Sequence, residues 1–352
     1  MTYTTLPFNE FLDLPAYRGQ RVERFIYRLV NGVTGEELGF ITPLKDATPR
    51  LTHNTGQTIK RQLSIALGVR DTQRVTPLTD RIVVSMEVGG VEYPLGRYMF
   101  TDDSVADSTG GEQGSYTLLD EGFILDQQLE HATTVTGAVH DAIIKLLRDF
   151  TFVKNVESSD FETRTTFGAG QSRGQALDTY ATQGDYFPFW MDHQSHFRMI
   201  RTVDPATAPA TFDFDVGKKV LRDSPVRSSD VLTAPNKFIV ISNSGTTDEI
   251  PLVGSYEVPP SAPHSIAQRG FVIPDVRDVQ AFTGVQAFAM ARNIGIRATV
   301  FERYTLTTAL DPRHDSYDIV HWREDNWLEL AWTMELIAGG QMQHTIRKAY
   351  AA

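Results

Sequence analysis

The chain has no cysteine among its 352 residues. Disulfides, thiolate-bound zinc and a thiol nucleophile are therefore excluded, and the lack of cysteine favours an intracellular site of folding. Long apolar runs are missing too: no stretch approaches the roughly 20 residues that a helical membrane span needs. The first residues, MTYTTLPFNEFLDLPAYRGQ, carry no basic segment followed by an apolar one, so no secretory signal is expected. Positive charge is in deficit, with 33 basic against 44 acidic residues and a net charge of −11. That argues against a protein that grips nucleic acid regardless of sequence through Lys and Arg on phosphates. It remains compatible with a channel that passes DNA without holding it, because acidic walls prevent sticking.

Catalytic signatures are scarce. There is no G-x-S-x-G elbow and no H-E-x-x-H. Phe167 to Gly174 (FGAGQSRG) is glycine-rich ahead of a helix, as a phosphate loop would be. It lacks the Gly-Lys-Ser/Thr ending, and the four-residue step from Gly170 to Gly174 does not fit G-x-G-x-x-G. The plainer reading is a loop capped by Ser172. Two groups hold residues of metal-ligand type. Asp192, His193 and His196 fall in a hairpin turn and belong to no standard ligand set, which reads as a solvated turn. His314, Asp315, Asp318 and His321 follow a Leu-Asp-Pro-Arg turn and read as rim polarity. Asp102, Asp103 and Asp107 miss the calcium-loop spacing. Asp213 and Asp215 lie two apart on one strand face, whereas a glycosidase needs carboxylates across a sugar. Trp190, Trp322, Trp327 and Trp332 are candidates for stacking on sugars; Trp332, in an alternating apolar row, reads as core. No catalytic, cofactor-binding or metal-binding residue is assigned from this inventory.

What the sequence does contain is period-2 alternation. In RIVVSMEVGGVEYPLGRYMF (81 to 100), Ile82, Val84, Met86 and Val88 alternate with polar residues up to Gly89-Gly90, and Val91, Tyr93 and Leu95 resume the pattern. This is a β-hairpin with one buried face. Pro94 has no N–H for a ladder and marks an edge or a bulge. A similar hairpin closes the chain, with Leu328 to Leu336, Gly339-Gly340 and Met342 to Ile346. Arg24 to Val30 with Asn31-Gly32 predicts another hairpin. Leu44 to Arg74 reads as polar and irregular with a short apolar segment, Leu63, Ile65 and Leu67, and Asp102 to Gly114 reads as a loop.

The period switches to helical over Thr136 to Phe150, with Thr136 as N-cap, and over Arg173 to Gln183. Tyr186 to Met191 and His196 to Thr202 form a hairpin. Lys237 to Ser242 and Ile250 to Val258 are strands, Val276 to Asn293 suits a helix, and Ile296 to Leu306 returns to strand. The expected architecture is mainly β with an α+β insert, built as two small antiparallel β-barrel domains and a small α/β domain. The expected divisions are an N-terminal arm (1–20), a first β-barrel (21–130), an α/β insert (131–210) and a second β-barrel (211–352) with a helical excursion near 262–300. The arm either packs on its own domain or docks on a neighbouring subunit; both readings stay open.

Six segments occur in a telling order: VEYPLGRYMF (91–100), LLDEGFILDQ (118–127), YFPFWMDHQSHFRM (186–199), PNKFIVIS (235–242), LDPRHDSYDIV (310–320) and WTMELIAGGQMQHTIR (332–347). Together, over about residues 21 to 348, they resemble the minor tail proteins of long-tailed actinobacteriophages, within the baseplate or tail-tip hub family. That resemblance implies a structural, non-enzymatic virion protein at the tail tip, made and assembled in the host cytoplasm. It implies a homotrimer whose two barrels per chain join a sixfold tail tube to a threefold tip. The implied partners are the distal tail protein, the tail tube and other tail-tip proteins. DNA would pass through the channel without sequence-specific binding, and no stable membrane insertion is implied. The alternatives are a hexameric distal tail ring protein and, from another class, a tail-associated glycan hydrolase or carbohydrate-binding module that uses Asp213, Asp215 or the tryptophans.

Overall fold

The computed structural model describes residues 22–102, 104–108, 111–216, 220–221, 225–230, 232–242, 251–298 and 301–350. The N-terminal arm, 1–20, lies outside the described residues. Strand β1 (Glu23–Asn31) sends Tyr27 and Leu29 into the core and Arg28 to the opposite face, where it pairs with Glu92 at 2.6 Å. The Asn31 side chain accepts the Val33 and Thr34 N–H groups, both at 2.9 Å, before the chain returns as β2 (Glu37–Phe40). The Asn-Gly hairpin is therefore real, with a longer loop than the two-residue turn its sequence favours.

Leu44 to Arg74 departs from the irregular reading. It holds β3 (Arg50–Asn54), β4 (Arg61–Leu67) and the one-turn helix α1 (Val69–Thr72). The buried faces are Leu51 and His53 on β3, and Arg61, Leu63, Ile65 and Leu67 on β4. The short apolar segment Leu63, Ile65 and Leu67 is the visible part of β4, while histidine and arginine at the core positions 53 and 61 hide the rest of the alternation. Next come β5 (Asp80–Val88) and β6 (Val91–Phe100), joined by Gly89 and Gly90 at φ 59° and 86°. Two successive positive φ values define the tight hairpin turn that glycine permits. The β5–β6 register shifts between Val84 and Ser85, opposite Pro94 to Gly96, so Pro94 does sit beside a bulge. β7 (Ser104–Ser108) and β8 (Gly111–Asp120) pair with each other, which corrects the loop reading of Asp102 to Gly114.

A 3₁₀ turn, Glu121–Asp126, leads into β9 (Thr133–Ala138), α2 (Val139–Leu146), β10 (Lys154–Val156), β11 (Glu162–Phe167), α3 (Arg173–Gly184), β12 (Trp190–Met191) and β13 (Phe197–Met199). Thr136 caps nothing: it lies in β9 opposite Arg164, and the helix starts three residues later. The threonine-rich run 133–136 is β-branched and takes the strand it prefers. α3 matches its expected start, with a capping box between Ser172 and Gln175.

The remaining elements are β14 (Phe212–Asp213), β15 (Val226–Ser229), β16 (Lys237–Ser242), β17 (Leu252–Glu257), α4 (Ile266–Arg269), β18 (Pro274–Asp278), α5 (Gly284–Ala298), β19 (Glu302–Ala309), β20 (Ile319–Trp322), β21 (Asp325–Glu335) and β22 (Gln341–Lys348). The helix expected over Val276 to Asn293 splits: its first residues form β18, parallel to β16, and α5 then packs across β16 and β17.

The mostly-β fold with some helices is as expected. The two barrels are not: no closed barrel is present among the described residues. Instead β3 pairs with β21, so the strands of both halves form one 14-stranded system with the path β15-β19-β22-β21-β3-β4-β8-β6-β5-β1-β2, while β20, with β14 beside it, branches from β21 and β7 branches from β8. Pairing β21 on β3 satisfies an edge that separate sheets would leave open. Trp332, Met334, Leu336 and Met342 accordingly share a core cluster with Leu51, Leu63 and Ile82. The closing hairpin also differs from its counterpart, since only Gly339 has a positive φ and the last register pair is Met334 with Met342.

α5 rests directly on Gly254 of β17, where a Cβ would lie 2.1 Å from the Ala287 backbone. Gly254→Val should lower stability by about 3 kcal/mol, at the upper end of ordinary overpacking, as measured by urea denaturation. An unchanged midpoint would contradict this packing.

Candidate functional site: a buried charged seam

The segment from Leu310 to Asp318 has no regular structure, yet successive residues enter different cores. Leu310 joins the large cluster around Trp332 and Leu51. Tyr317 stacks on Phe187 of the insert, with centroids 4.4 Å apart, and meets Trp190 edge-on. Between these anchors, His314, Asp315 and Ser316 each meet a buried polar partner. The reading of this cluster as rim polarity is therefore corrected, since His314 is 1% exposed.

Asp315 pairs with the Arg61 guanidinium, which comes from the middle of the sheet and is itself 1% exposed. Arg61 Nη1 also meets His193 Nδ1 at 3.2 Å, and its guanidinium lies 5.8 Å from the Trp332 ring centroid. Burial pushes the Asp315 carboxyl upward, but the Arg61 charge, with the Ser316 N–H that the carboxylate accepts, outweighs it and holds it below the usual carboxylate range. His53 Nε2 meets Ser316 Oγ at 2.7 Å, and its ring stacks on Trp332. Burial, with the Arg61 charge, lowers His53 to about 3 and His193 to about 4, so both are neutral near pH 7. Beneath them, Asp120 accepts the Arg61 N–H at 2.9 Å and the Gly122 N–H at 2.8 Å. Burial dominates there and raises its carboxyl to about 6.

On the other side of the segment lies a second group. His314 Nδ1 is 2.8 Å from one Glu329 oxygen, and His344 Nδ1 is 2.5 Å from the other. Burial would raise the Glu329 carboxyl, but the charges and hydrogen bonds of the two imidazoles hold it at about 2. Phe212 stacks on His314 at 3.8 Å, and Phe214 meets His344 edge-on at 5.2 Å. Glu329 and His344 escaped the sequence reading because they sit 15 and 30 positions beyond His314, on β21 and β22. Their signal was charged residues at inward positions of apolar strands.

The other candidates separate. His321 leaves its proposed cluster and faces Asn326 at 3.2 Å. His193 is drawn into the seam rather than lying in a solvated turn, while Asp192 pairs with Arg198 at 2.9 Å and His196 stands 3.8 Å from it. The glycine-rich loop is held by its own bonds: Gln171 Oε1 accepts the Gly168 N–H at 2.7 Å, and Ser172 caps α3. Asp213 accepts the N–H groups of Asp215 and Val216. Asp215 accepts those of Arg323 and Glu324, at φ 52° and 65°, and so supports the tight turn from β20 to β21. Trp190, Trp322, Trp327 and Trp332 are all buried, which places them in cores rather than on a sugar-binding surface. Asp102 is exposed, and Asp103 lies outside the described residues. Among the described residues, no helix is long and apolar enough to cross a membrane.

No family model and no curated protein matches this sequence. Solved structures do. The tail protein from Neisseria meningitidis MC58 is similar with a TM-score of 0.60 at 13% identity, covering 92% of this chain and 96% of that one. The 43 kDa tail protein of prophage MuSo2 from Shewanella oneidensis gives 0.61 at 11% identity, covering 93% and 98%. A prophage tail protein from Listeria monocytogenes EGD-e gives 0.58 at 10% identity, covering 93% and 95%. The fold is therefore one that phage tail proteins share, over nearly the full length of both chains.

Two outcomes test the seam. Asp315→Ala should destabilise the protein by about 3–5 kcal/mol, because it strands a buried guanidinium, while Arg61→Met with Asp315→Leu should recover much of that loss. A double variant as unstable as the single one would contradict the account. Asp120 binds its proton more tightly folded than unfolded, so its contribution to stability rises as pH falls from about 6 towards 4. Its carboxyl carbon resonance should titrate near 6; a midpoint at or below 4 would refute the burial argument.

Proposed function

We propose that this chain is a structural tail-tip hub protein of a long-tailed phage, of the type found in actinobacteriophages. The observation that carries this reading is the fold shared with three prophage or tail proteins over more than nine-tenths of each chain. In the virion, three copies form a ring that joins the sixfold tail tube to the threefold tip and surrounds the DNA path. Its partners are the distal tail protein, the tube and other tip proteins, and it is assembled in the host cytoplasm. The role is mechanical rather than enzymatic. Support comes from the seam, which fixes the insert to the sheet through Tyr317, Phe187 and Trp190, as a load-carrying ring subunit requires. The sheet ends at β2 and β15, which offer strand edges for contact with other chains. The net charge of −11 suits a conduit that does not retain DNA.

Native mass measurement of the purified ring, or copy number in virions, should give three chains. Six chains would favour the distal tail ring reading, and a monomer in assembled particles would overturn both.

A further inference from the structure

The group around His314, Glu329 and His344 does not take part in the proposed assembly role, and its three buried side chains each bring a ligand-type atom within 4.8 Å of the others. The Thr308 hydroxyl donates to the Ala309 carbonyl at 2.8 Å. Thr308 Oγ1 also lies 2.8 Å from His344 Nε2, and the other ring nitrogen, Nδ1, faces Glu329 Oε1 at 2.5 Å. A ring nitrogen this close to a carboxylate oxygen shares a positive particle with it, either a proton or a metal ion. His314 Nδ1 converges on the same carboxylate at 2.8 Å, and Asp318 Oδ2 stands 3.8 Å from that nitrogen.

We propose that His314, Glu329, His344 and Asp318 bind one divalent transition-metal ion of the zinc type. Two imidazoles and two carboxylates are a ligand set that zinc accepts. Two neutral rings, two carboxylates and one M²⁺ sum to zero charge, as a site closed by Phe212 and Phe214 requires. The Nε2–H to Thr308 contact is the outer hydrogen bond that orients a metal-bound histidine. Ligand atoms on a tetrahedral zinc lie roughly 3.3 Å apart. Glu329 would thus retreat from the two rings by less than 1 Å, a change its soft terminal torsion absorbs, while Asp318 closes in. The ion would lock β21 and β22 to the 310–318 segment. This proposal does not depend on the tail-tip reading.

The test is elemental analysis of the full chain, expressed in zinc-supplemented medium and dialysed without chelator. About one zinc per chain is expected, with a melting temperature that falls on refolding without metal and returns with Zn²⁺. Refolding with Co²⁺ should give the strong visible absorption of a tetrahedral site. His344→Gln and Asp318→Asn should each reduce metal content or affinity by roughly tenfold or more, while His321→Ala should retain it. No bound metal, no change in melting temperature with Zn²⁺ and no Co²⁺ absorption would show that protons alone bridge the imidazoles and the carboxylate. Metal that persists in His314→Gln/His344→Gln would show adventitious binding. Either result overturns the proposal.

Discussion

The structure depends on a buried ion pair at the meeting point of its parts. Arg61 is a sheet residue only 1% exposed, and a guanidinium in that position is tolerated only if a charge of opposite sign reaches it. Asp315 does so from a segment more than 250 positions away in sequence. The pair thereby forces the 310–318 segment against β3 and β4, and its neighbours are carried along. Ser316 reaches His53, Tyr317 reaches Phe187, and His314 is pressed between Phe212 and Glu329. One electrostatic requirement thus sets the geometry of three cores.

The sheet follows the same logic. β3 is a short strand with partners on both sides, β4 and β21. Through it, the amino-terminal strands and the closing hairpin become one hydrogen-bonded surface. Aromatic packing then fills the joint: Trp332 stacks on His53 and lies beneath the Arg61 guanidinium. The hydrophobic core and the charged seam are two faces of one junction.

Much of this was legible in the sequence wherever polar and apolar residues alternate cleanly. The Gly89-Gly90 hairpin, the Pro94 bulge, the capping box at Ser172 and the strand Lys237–Ser242 all lie where their residues place them. The losses share a cause. β3 hides because His53 occupies an inward position, and β4 shows only as the short apolar segment Leu63, Ile65 and Leu67 because Arg61 occupies its first inward position. The α2 start is displaced because threonines prefer a strand. The start of the expected 276–293 helix becomes β18 because β16 offers it a parallel partner, a tertiary effect no local pattern contains. The same holds for the candidate sites. His314 and Asp318 were visible as ligand-type residues, but Glu329 and His344 join them only through strand pairing. Asp213 and Asp215, an apparent carboxylate pair, turn out to hold turns.

The proposed role is that of a rigid, seam-locked ring subunit at the tail tip. The most direct measurement is an electron cryomicroscopy reconstruction of the tail tip from virions in which this protein carries a visible label. The account predicts threefold-arranged label density in a ring directly below the tail tube, with the fold docking as one rigid body. Label found along the tube, in the capsid or on peripheral fibres would contradict it.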